Sequence, residues 1–332
     1  MTRIKHNIQI LSEEFKEDDI ELSDKLNIQL RNVIILIIAG ILSLNNLAIA
    51  SSEINSNRYG FNFVAAGDWG CDKKAHETVN HMQNKSPELV LALGDLSYQK
   101  DADCWFQMMS PLINKTKMVF GDHEYNFKNS SRLDEYFQKF NLTKQYYSFD
   151  YGNVHFLAMS SEVPFDKDSK QYSFVNEDLK SASENKSINW IVAYIYEMLY
   201  TSPTFHKPTD TIRDIYHLIF DKYHVNLVLQ AHSHNYQRTY PIKYNDKDPS
   251  NPIITDKNEG EYTNPDGTVF AVIGTAGADL HNFTEQAPYV VKQFQRFGFL
   301  DVNITSDGKV MKGTFYENRD STDKDHFTIT NN

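Results

Sequence analysis

Three short apolar segments of this 332-residue chain end in the dipeptide Gly-Asp, and they recur at a fixed interval. The segments are FNFVAAGD (61–68), ELVLALGD (88–95) and KMVFGD (117–122). Successive aspartates lie 27 residues apart, a comfortable length for one strand, a crossover helix and the next parallel strand. Apolar runs of this kind are typical of strands buried on both faces. The equal spacing therefore places the aspartates at one carboxyl edge of a parallel sheet, where open α/β sheets bind ligands.

The chain beyond these segments continues to alternate between apolar runs and amphipathic stretches. Its pattern predicts helices over 77–84, 104–112, 174–185 and 211–223, hairpins over 146–161 and 297–316, and strands over 188–199, 225–236 and 269–278. Because strands occur on both sides of a central helical crossover, we expect an α/β fold of two packed mixed sheets with helices outside. The 240s and 250s read as a long polar loop, and 317–332 as a polar tail.

The first fifty residues differ from the rest and are predicted to be a leader. The apolar run VIILIIAGILSL, 33–44, has 12 residues, whereas a membrane span needs about 20. The following Ala48-Ile49-Ala50 fits a small-x-small cleavage site. We interpret 1–50 as a signal peptide, with an uncleaved membrane anchor or a buried core helix as alternatives. The protein is then expected to be secreted or on the extracytoplasmic surface, touching a membrane only through an uncleaved leader.

Charge and cysteine content narrow the range of partners. The formal net charge of −11 argues against nucleic acid as a structural partner, since phosphate backbones require clustered Lys and Arg. A phosphorylated substrate stays compatible with this negative charge, because a metal ion can supply positive charge locally.

The two cysteines, Cys71 and Cys104, can pair in an oxidising compartment. Two free thiols fit the sequence almost as well.

Side chains able to bind metals follow five of the predicted strands. They are Asp68, Asp95 with Tyr98, Asp122 with His123, polar residues of 194–200, and His232 with His234. Hard cations prefer carboxylate, phenolate and imidazole ligands held on rigid elements. One aspartate at a strand end is most simply a helix cap. Five such ends together indicate a metal centre, and a carboxylate can bridge two ions in the geometry used for displacement at phosphorus.

The motifs GDWG, GDLSY, GDHE and AHSHNYQRTYP, in this order, resemble those of the calcineurin-like metallophosphoesterases, in particular the purple acid phosphatase branch. The resemblance covers about 60–316 and implies a four-layer αββα sandwich with two metal ions. It implies iron at the first site and zinc, manganese or iron at the second. Carried over by motif, the first-site ligands are Asp68, Asp95, Tyr98 and His234, and Asp95 bridges to a second ion held by Asp122 and His232.

The chain departs from the family pattern at the second site. The family has G-N-H-D/E where this chain has Asp122 in place of the asparagine, and Tyr196 stands where a histidine ligand is usual. A tyrosine binds a metal only when deprotonated, against a usual pKa of about 10. Glu197 is no evident substitute, because a strand running through it would point it to the opposite face. Occupancy of the second site is therefore the weakest element of the metal prediction.

Further residues have roles implied by the resemblance. His123 matches a histidine that contacts the substrate phosphate and assists the leaving group, and the alternative is a loop histidine bonded to a carbonyl. His206 lies where relatives carry leaving-group histidines, with a structural role equally compatible. Arg238 is either a phosphate clamp or, more simply, a buried support for His232 and His234.

The expected activity is hydrolysis of phosphate monoesters, on a small-molecule or protein substrate, with the metals neutralising charge on the phosphoryl oxygens. A tyrosinate on the first metal favours a trivalent ion such as iron, and an acidic optimum would follow. Two alternatives remain open at this point: an exported phosphoesterase-like protein that binds without catalysis, and a mononuclear variant.

Overall fold

The computed structural model describes residues 60–125 and 132–332. The predicted leader, 1–50, lies outside this part of the chain. Within it, no helix is long and apolar enough to cross a membrane.

The described residues form mainly strands. In chain order these are β1 (Phe61–Ala66), β2 (Leu89–Leu93), β3 (Thr116–Val119), β4 (Tyr147–Tyr151), β5 (Val154–Ala158), β6 (Trp190–Tyr194), β7 (Leu227–Gln230), β8 (Tyr236–Thr239), β9 (Ile242–Lys243), β10 (Ile253–Ile254), β11 (Glu261–Thr263), β12 (Val269–Ile273), β13 (Val290–Phe294), β14 (Gly298–Ile304), β15 (Val310–Glu317) and β16 (Asp323–Thr330). The α-helices are α1 (Lys73–Asn84), α2 (Asp103–Met109), α3 (Arg132–Phe140), α4 (Lys170–Glu184) and α5 (Asp210–Tyr223).

The strands build two seven-stranded mixed sheets. The first has the order β11-β16-β15-β14-β1-β2-β3 and the second β13-β8-β12-β7-β6-β5-β4. In the first sheet β1, β2 and β3 are parallel, with Val64 beside Val90 and Val90 beside Thr116. The three Gly-Asp segments therefore do end at one edge, as their spacing predicts.

Helices cover both outer faces of the packed sheets. Between the sheets, Phe63 of β1 meets Phe156 of β5 with ring centroids 5.1 Å apart. Buried residues of α1, α2 and α3 join the core that contains the first sheet, whereas α4 and α5 pack with the second sheet around a separate core. The predicted four-layer αββα sandwich is confirmed.

Three predicted boundaries are wrong. The strand predicted over 188–199 ends at Tyr194, and the one over 225–236 ends at Gln230, so the two site histidines lie in the loop before β8. The segment 317–332 is not a polar tail, because β16 pairs with β15 along the first sheet. Its alternation of exposed side chains with buried Asp325, Phe327 and Ile329 is that of a strand with one buried face;. The long polar loop of the 240s and 250s also contains a short hairpin of β9 and β10.

Arg238 ties the two sheets together. Its guanidinium, on β8, donates to both carboxylate oxygens of Asp325 on β16 at 2.6 and 2.8 Å, and to the Tyr262 hydroxyl at 2.8 Å. Both charged side chains are buried. Arg238 is therefore buried in an ion pair, as the second of its predicted roles requires, and this burial rules out the phosphate clamp. The partner is Asp325, and the guanidinium donates to neither site histidine.

Candidate metal centre

Backbone strain marks the edge where the predicted ligands meet. Asp68, Asp95 and His232 follow β1, β2 and β7 with φ values of 58°, 48° and 67°. Residues other than glycine pay about 1–2 kcal/mol for this left-handed conformation. Such strain persists where the surrounding structure over-determines it, and it clusters at functional sites.

Three of the predicted first-site ligands converge on a common point. Tyr98 Oη lies 3.1 Å from His234 Nε2 and 3.5 Å from Asp68 Oδ1, and the last two atoms are 3.3 Å apart. Asp68 is fully buried, and its other oxygen, Oδ2, has no hydrogen-bond partner. A buried carboxylate oxygen left unsatisfied is costly, and a cation bound by the Asp68 carboxylate would offset that cost. These residues fit a metal ion.

The environment of His234 orients it as a ligand. Its Nδ1 lies 2.7 Å from the Asp279 carbonyl oxygen, to which it donates. The proton is thereby kept on Nδ1, and the Nε2 lone pair faces Asp68 and Tyr98. Metal-binding histidines are commonly held by such a hydrogen bond on the second ring nitrogen.

Asp95 faces both predicted metal positions. Its Oδ1 accepts a hydrogen bond from the His123 backbone N–H at 3.1 Å, and its Oδ2 accepts from the Tyr196 hydroxyl at 2.7 Å. Burial, followed by the neighbouring carboxylates, raises the pKa of Asp95 well above its usual value. Oxygens of Asp95 and Asp122 and a ring nitrogen of His123 also come close enough together to share one cation.

The residues predicted for the second metal surround a hydroxyl group instead. Tyr196 Oη lies 2.7 Å from Asp95 Oδ2, 2.8 Å from Asp122 Oδ1 and 2.6 Å from His232 Nδ1. Burial and then the nearby carboxylates Asp68, Asp95 and Asp122 raise the pKa of Tyr196 well above its usual value. With the phenol among them, Asp95, Asp122 and His232 do not fit a second ion as predicted. The group of Asp95, Asp122 and His123 is a different set, which lacks His232.

Glu197 lies on the side of the centre, contrary to the prediction. Because β6 ends at Tyr194, the strand alternation that would turn Glu197 away stops before it. Its Oε1 is 3.9 Å from His232 Nε2, and its Oε2 accepts from the Thr209 hydroxyl at 2.6 Å.

Three histidines stand beside the predicted ligands. The ring of His123 packs 4.2 Å from that of Tyr98, with its Nε2 4.0 Å from Asp95 Oδ2. The ring of His206 lies 3.9 Å from that of His232 and 5.0 Å from that of His281. The structure thus brings both predicted catalytic histidines to the centre.

Sequence reasoning missed His281. Its ring stacks on that of His234 at 4.0 Å, and its Nδ1 accepts the His234 backbone N–H at 3.2 Å. Burial, and then the neighbouring histidines, lower its pKa to about 4, and the same causes lower that of His206 to about 4. Its position shortly after the end of β12 is the signal that would have identified it, since other strand ends carry the site.

Two buried charged residues hold the loops of the centre and were also missed. The Glu124 carboxylate accepts backbone N–H groups of Asp95, Leu96 and Gly121 at 3.0, 3.0 and 2.9 Å. The Arg132 guanidinium donates to the carbonyls of Ser97, Gln99 and His123. Together they fix the loop after β2 against the turn after β3.

A disulfide adds a covalent tie. Cys71, just after β1, is bonded to Cys104 in α2, with their Cα atoms 6.0 Å apart. The sequence left open whether these cysteines form a disulfide or remain two free thiols, and in the structure they form the disulfide. The bond links the loops that carry Asp68 and Tyr98.

Comparison with known proteins agrees with this architecture. The family model of the calcineurin-like phosphoesterases matches residues 61–236, more than half of the chain. Purple acid phosphatase 23 of Arabidopsis thaliana is 26% identical over 259 residues, covering 66% of this chain and 56% of that protein. Acid phosphatase type 7 of Homo sapiens is 28% identical over 249 residues, covering 64% and 54%. The chain thus spans about half the length of these relatives.

A solved structure shows the same fold. Purple acid phosphatase PPD1 from yellow lupin, Lupinus luteus, superposes with a TM-score of 0.73 at 20% identity, covering 83% of this chain and 55% of that one. The family match and the sandwich together define the fold of the metallophosphoesterases. The chain belongs to the calcineurin-like phosphoesterase family, and its curated relatives are purple acid phosphatases.

Proposed function

We propose that the chain is a metal-dependent phosphoric ester hydrolase that acts on phosphate monoesters. The observation that supports this most is the convergence of Asp68 Oδ1, Tyr98 Oη and His234 Nε2 within 3.1–3.5 Å of one another, beside an unpartnered buried oxygen of Asp68. The substrate class, a phosphorylated small molecule or protein, follows from the family and from the histidines around the centre.

Asp68, Asp95, Tyr98 and His234 would hold the metal, for which we propose iron because of the phenol ligand. A bound metal ion supplies positive charge for the phosphoryl oxygens and lowers the pKa of a water ligand. Asp68 and Asp95 contribute the anionic ligands. Their burial strengthens the attraction to a cation.

The histidines orient the ester and move the proton. We assign to His123, 35% exposed on its side chain and held at its backbone by Asp95 and Arg132, the protonation of the departing oxygen;. His206 and His281 lie across the centre from it, next to His232 and His234. Their ring N–H groups are assigned to hydrogen bonds with the phosphate oxygens.

The test is phosphate release from p-nitrophenyl phosphate by the full chain loaded with iron. Asp68→Asn removes one ligand charge and is expected to lower kcat/KM by more than about 100-fold, since even an outer residue of a metal site costs about 10–100-fold. The matched control is Asp266→Asn, a 72% exposed aspartate paired with Lys243, which should leave the rate unchanged. Absence of release by the wild-type protein, with iron, zinc or manganese, would contradict the proposal.

One observation favours a second candidate, a phosphoesterase-like protein that binds phosphate without hydrolysis. The hydroxyl of Tyr196 lies among residues that in relatives are expected to hold a second metal. Saturable binding of inorganic phosphate to the metal-loaded protein, together with no turnover of any monoester, would select this candidate.

We further propose that the protein works outside the cytoplasm. The Cys71–Cys104 disulfide supports this, because structural disulfides persist in oxidising compartments and are rare in the cytosol;. Detection of the epitope-tagged chain outside intact cells is the corresponding measurement.

A further inference from the structure

We propose that the side chain of Tyr196 takes the place of the second metal ion, so that this chain is a one-metal member of its family. The inference concerns the metal content of the same centre, and it rests on the proposed function only for the ion at the first site.

The position of the phenol oxygen tells whether Tyr196 occupies the position of the second ion or could bind that ion as a ligand. Metal ligands lie about 2.0–2.6 Å from an ion, so an ion shared by Asp95, Asp122 and His232 must sit between their three inward-facing atoms. Tyr196 Oη is itself between them, at 2.7, 2.8 and 2.6 Å. A ligand would stand beside the ion, whereas this hydroxyl stands where the ion would be.

Two glycines form a slot that holds the ring in this position. A Cβ atom added to Gly94 would lie 2.5 Å from Tyr196 Cδ2, and one added to Gly121 would lie 2.7 Å from its Cε2. Both glycines belong to Gly-Asp segments whose aspartates contact the phenol oxygen. Tyr196 is 1% exposed, so the ring cannot turn aside without displacing the backbone that carries Asp95 and Asp122.

The phenol also replaces part of what the ion would do for its neighbours. The buried carboxylate of Asp95 lies near that of Asp122, whose side chain is 40% exposed, and a buried carboxylate needs donors or a cation. The Tyr196 hydroxyl donates to one of them at a time, while His232 Nδ1 lies within hydrogen-bond distance of the phenol oxygen. The Tyr196 hydroxyl therefore links Asp95, Asp122 and His232 in one hydrogen-bonded group.

The test counts metal ions per chain in the full-length protein dialysed against Mn²⁺, in the wild type and in Tyr196→His. We expect Tyr196→His to bind one ion more than the wild type, because an imidazole vacates the central position and adds a ligand at its rim. The matched control Tyr244→His adds a histidine away from the centre and should leave the count unchanged. Electron paramagnetic resonance of bound Mn²⁺ should show isolated ions in the wild type and a coupled pair in Tyr196→His.

Each outcome decides the inference separately from the proposed function. Two ions in the wild type, equal counts in the wild type and Tyr196→His, or an added ion not coupled to the first would overturn it. Should Tyr196→His fail to fold, the ion counts of the wild type and of Tyr196→Phe decide instead, and we expect these two counts to be equal. Two ions in the wild type would again overturn the inference. A wild-type protein that binds neither Mn²⁺ nor iron contradicts the proposed function, and the difference in ion count between the wild type and Tyr196→His, without the coupling, then decides the inference.

Discussion

At the scale of single residues, Glu124 shows how a side chain outside the metal ligands shapes the centre. Its carboxylate is 3% exposed and accepts three backbone N–H groups, from Asp95, Leu96 and Gly121. Buried backbone donors need partners. Glu124 thus satisfies the turns that place two predicted metal-binding aspartates, although in the sequence it is only the last letter of GDHE.

We expect Glu124→Gln to lower the free energy of unfolding by about 1–3 kcal/mol, because an amide nitrogen placed against N–H donors leaves buried polar groups unsatisfied. Urea denaturation of the metal-free protein measures this without a contribution from the ion. The matched control is Glu77→Gln on α1, where a 33% exposed carboxylate faces Lys73 and Lys74, and the change should cost less than about 1 kcal/mol. Equal losses in the two variants would argue against the role assigned to Glu124.

The candidate metal-binding residues could be predicted from the sequence, but the residues that surround and pair with the side chains near the centre could not. Asp68, Asp95, Tyr98 and His234 were predicted from motifs, and the structure brings them to one edge. A buried role for Arg238 was predicted, but its partner was not, since Asp325 lies 87 residues along the chain. Motifs specify which side chains follow a strand, but not which distant carboxylate neutralises them.

At the scale of secondary structure, His155 of β5 connects its strand to β4 and α4. Its Nδ1 lies 2.7 Å from Asp150 of β4 and its Nε2 2.8 Å from Asp178 of α4. Burial lowers the pKa of His155, but the interactions with Asp178 and then Asp150 outweigh burial, and the net pKa is raised above 6.5. The protonated ring therefore stabilises the packing of these three elements.

This pair of ion contacts predicts a stability that depends on pH. Because the folded pKa exceeds the unfolded one, the contribution is fully present below about pH 6.5 and is lost as the pH rises through the folded value. We expect His155→Gln to lower the free energy of unfolding by about 1–3 kcal/mol at acidic pH and by less at alkaline pH. Denaturant titrations at both pH values measure this loss of free energy of unfolding, with His76→Gln, at an exposed position, as the control. A loss that grows with pH would contradict the prediction.

Element positions were largely predictable, and element ends were not. The four predicted helices and both hairpins were found near where periodicity placed them, whereas α3 was not predicted. The prediction for Glu197 was wrong because β6 ends at Tyr194. An apolar run marks burial, and residues after Tyr194 stay buried without being in a strand;.

At the scale of the whole molecule, the ion pair of Arg238 and Asp325 joins the two sheets across the core. The pair is completed by the hydroxyls of Tyr262, which accepts from Arg238 at 2.8 Å, and Tyr236, which donates to Asp325 at 2.9 Å. Breaking a buried pair leaves one charge uncompensated, whereas replacing both partners by apolar groups costs less.

We therefore expect Asp325→Leu to destabilise the fold by about 3–5 kcal/mol, and the double variant Arg238→Met with Asp325→Leu to be more stable than that single variant. The control is Lys243→Met with Asp266→Leu, an exposed pair whose removal should change stability by less than about 1 kcal/mol. Denaturant unfolding of the wild type, Asp325→Leu, Arg238→Met and the double variant gives the coupling energy. Strictly additive losses at Arg238 and Asp325 would show that the pair does not act as a unit.

The sequence by itself determined two packed sheets with helices outside and the edge at which the site lies, because strand and helix periodicity and the Gly-Asp spacing are local properties of the chain. Tertiary structure alone decided what the residues at that edge do to one another. Tyr196 and Asp95 are 101 residues apart, and only the packing of one sheet against the other brings the phenol between the second-site residues. Local sequence patterns predict whether a segment is a helix or a strand and which side chains follow it. A contact between elements that are distant in the chain depends on where packing places their ends.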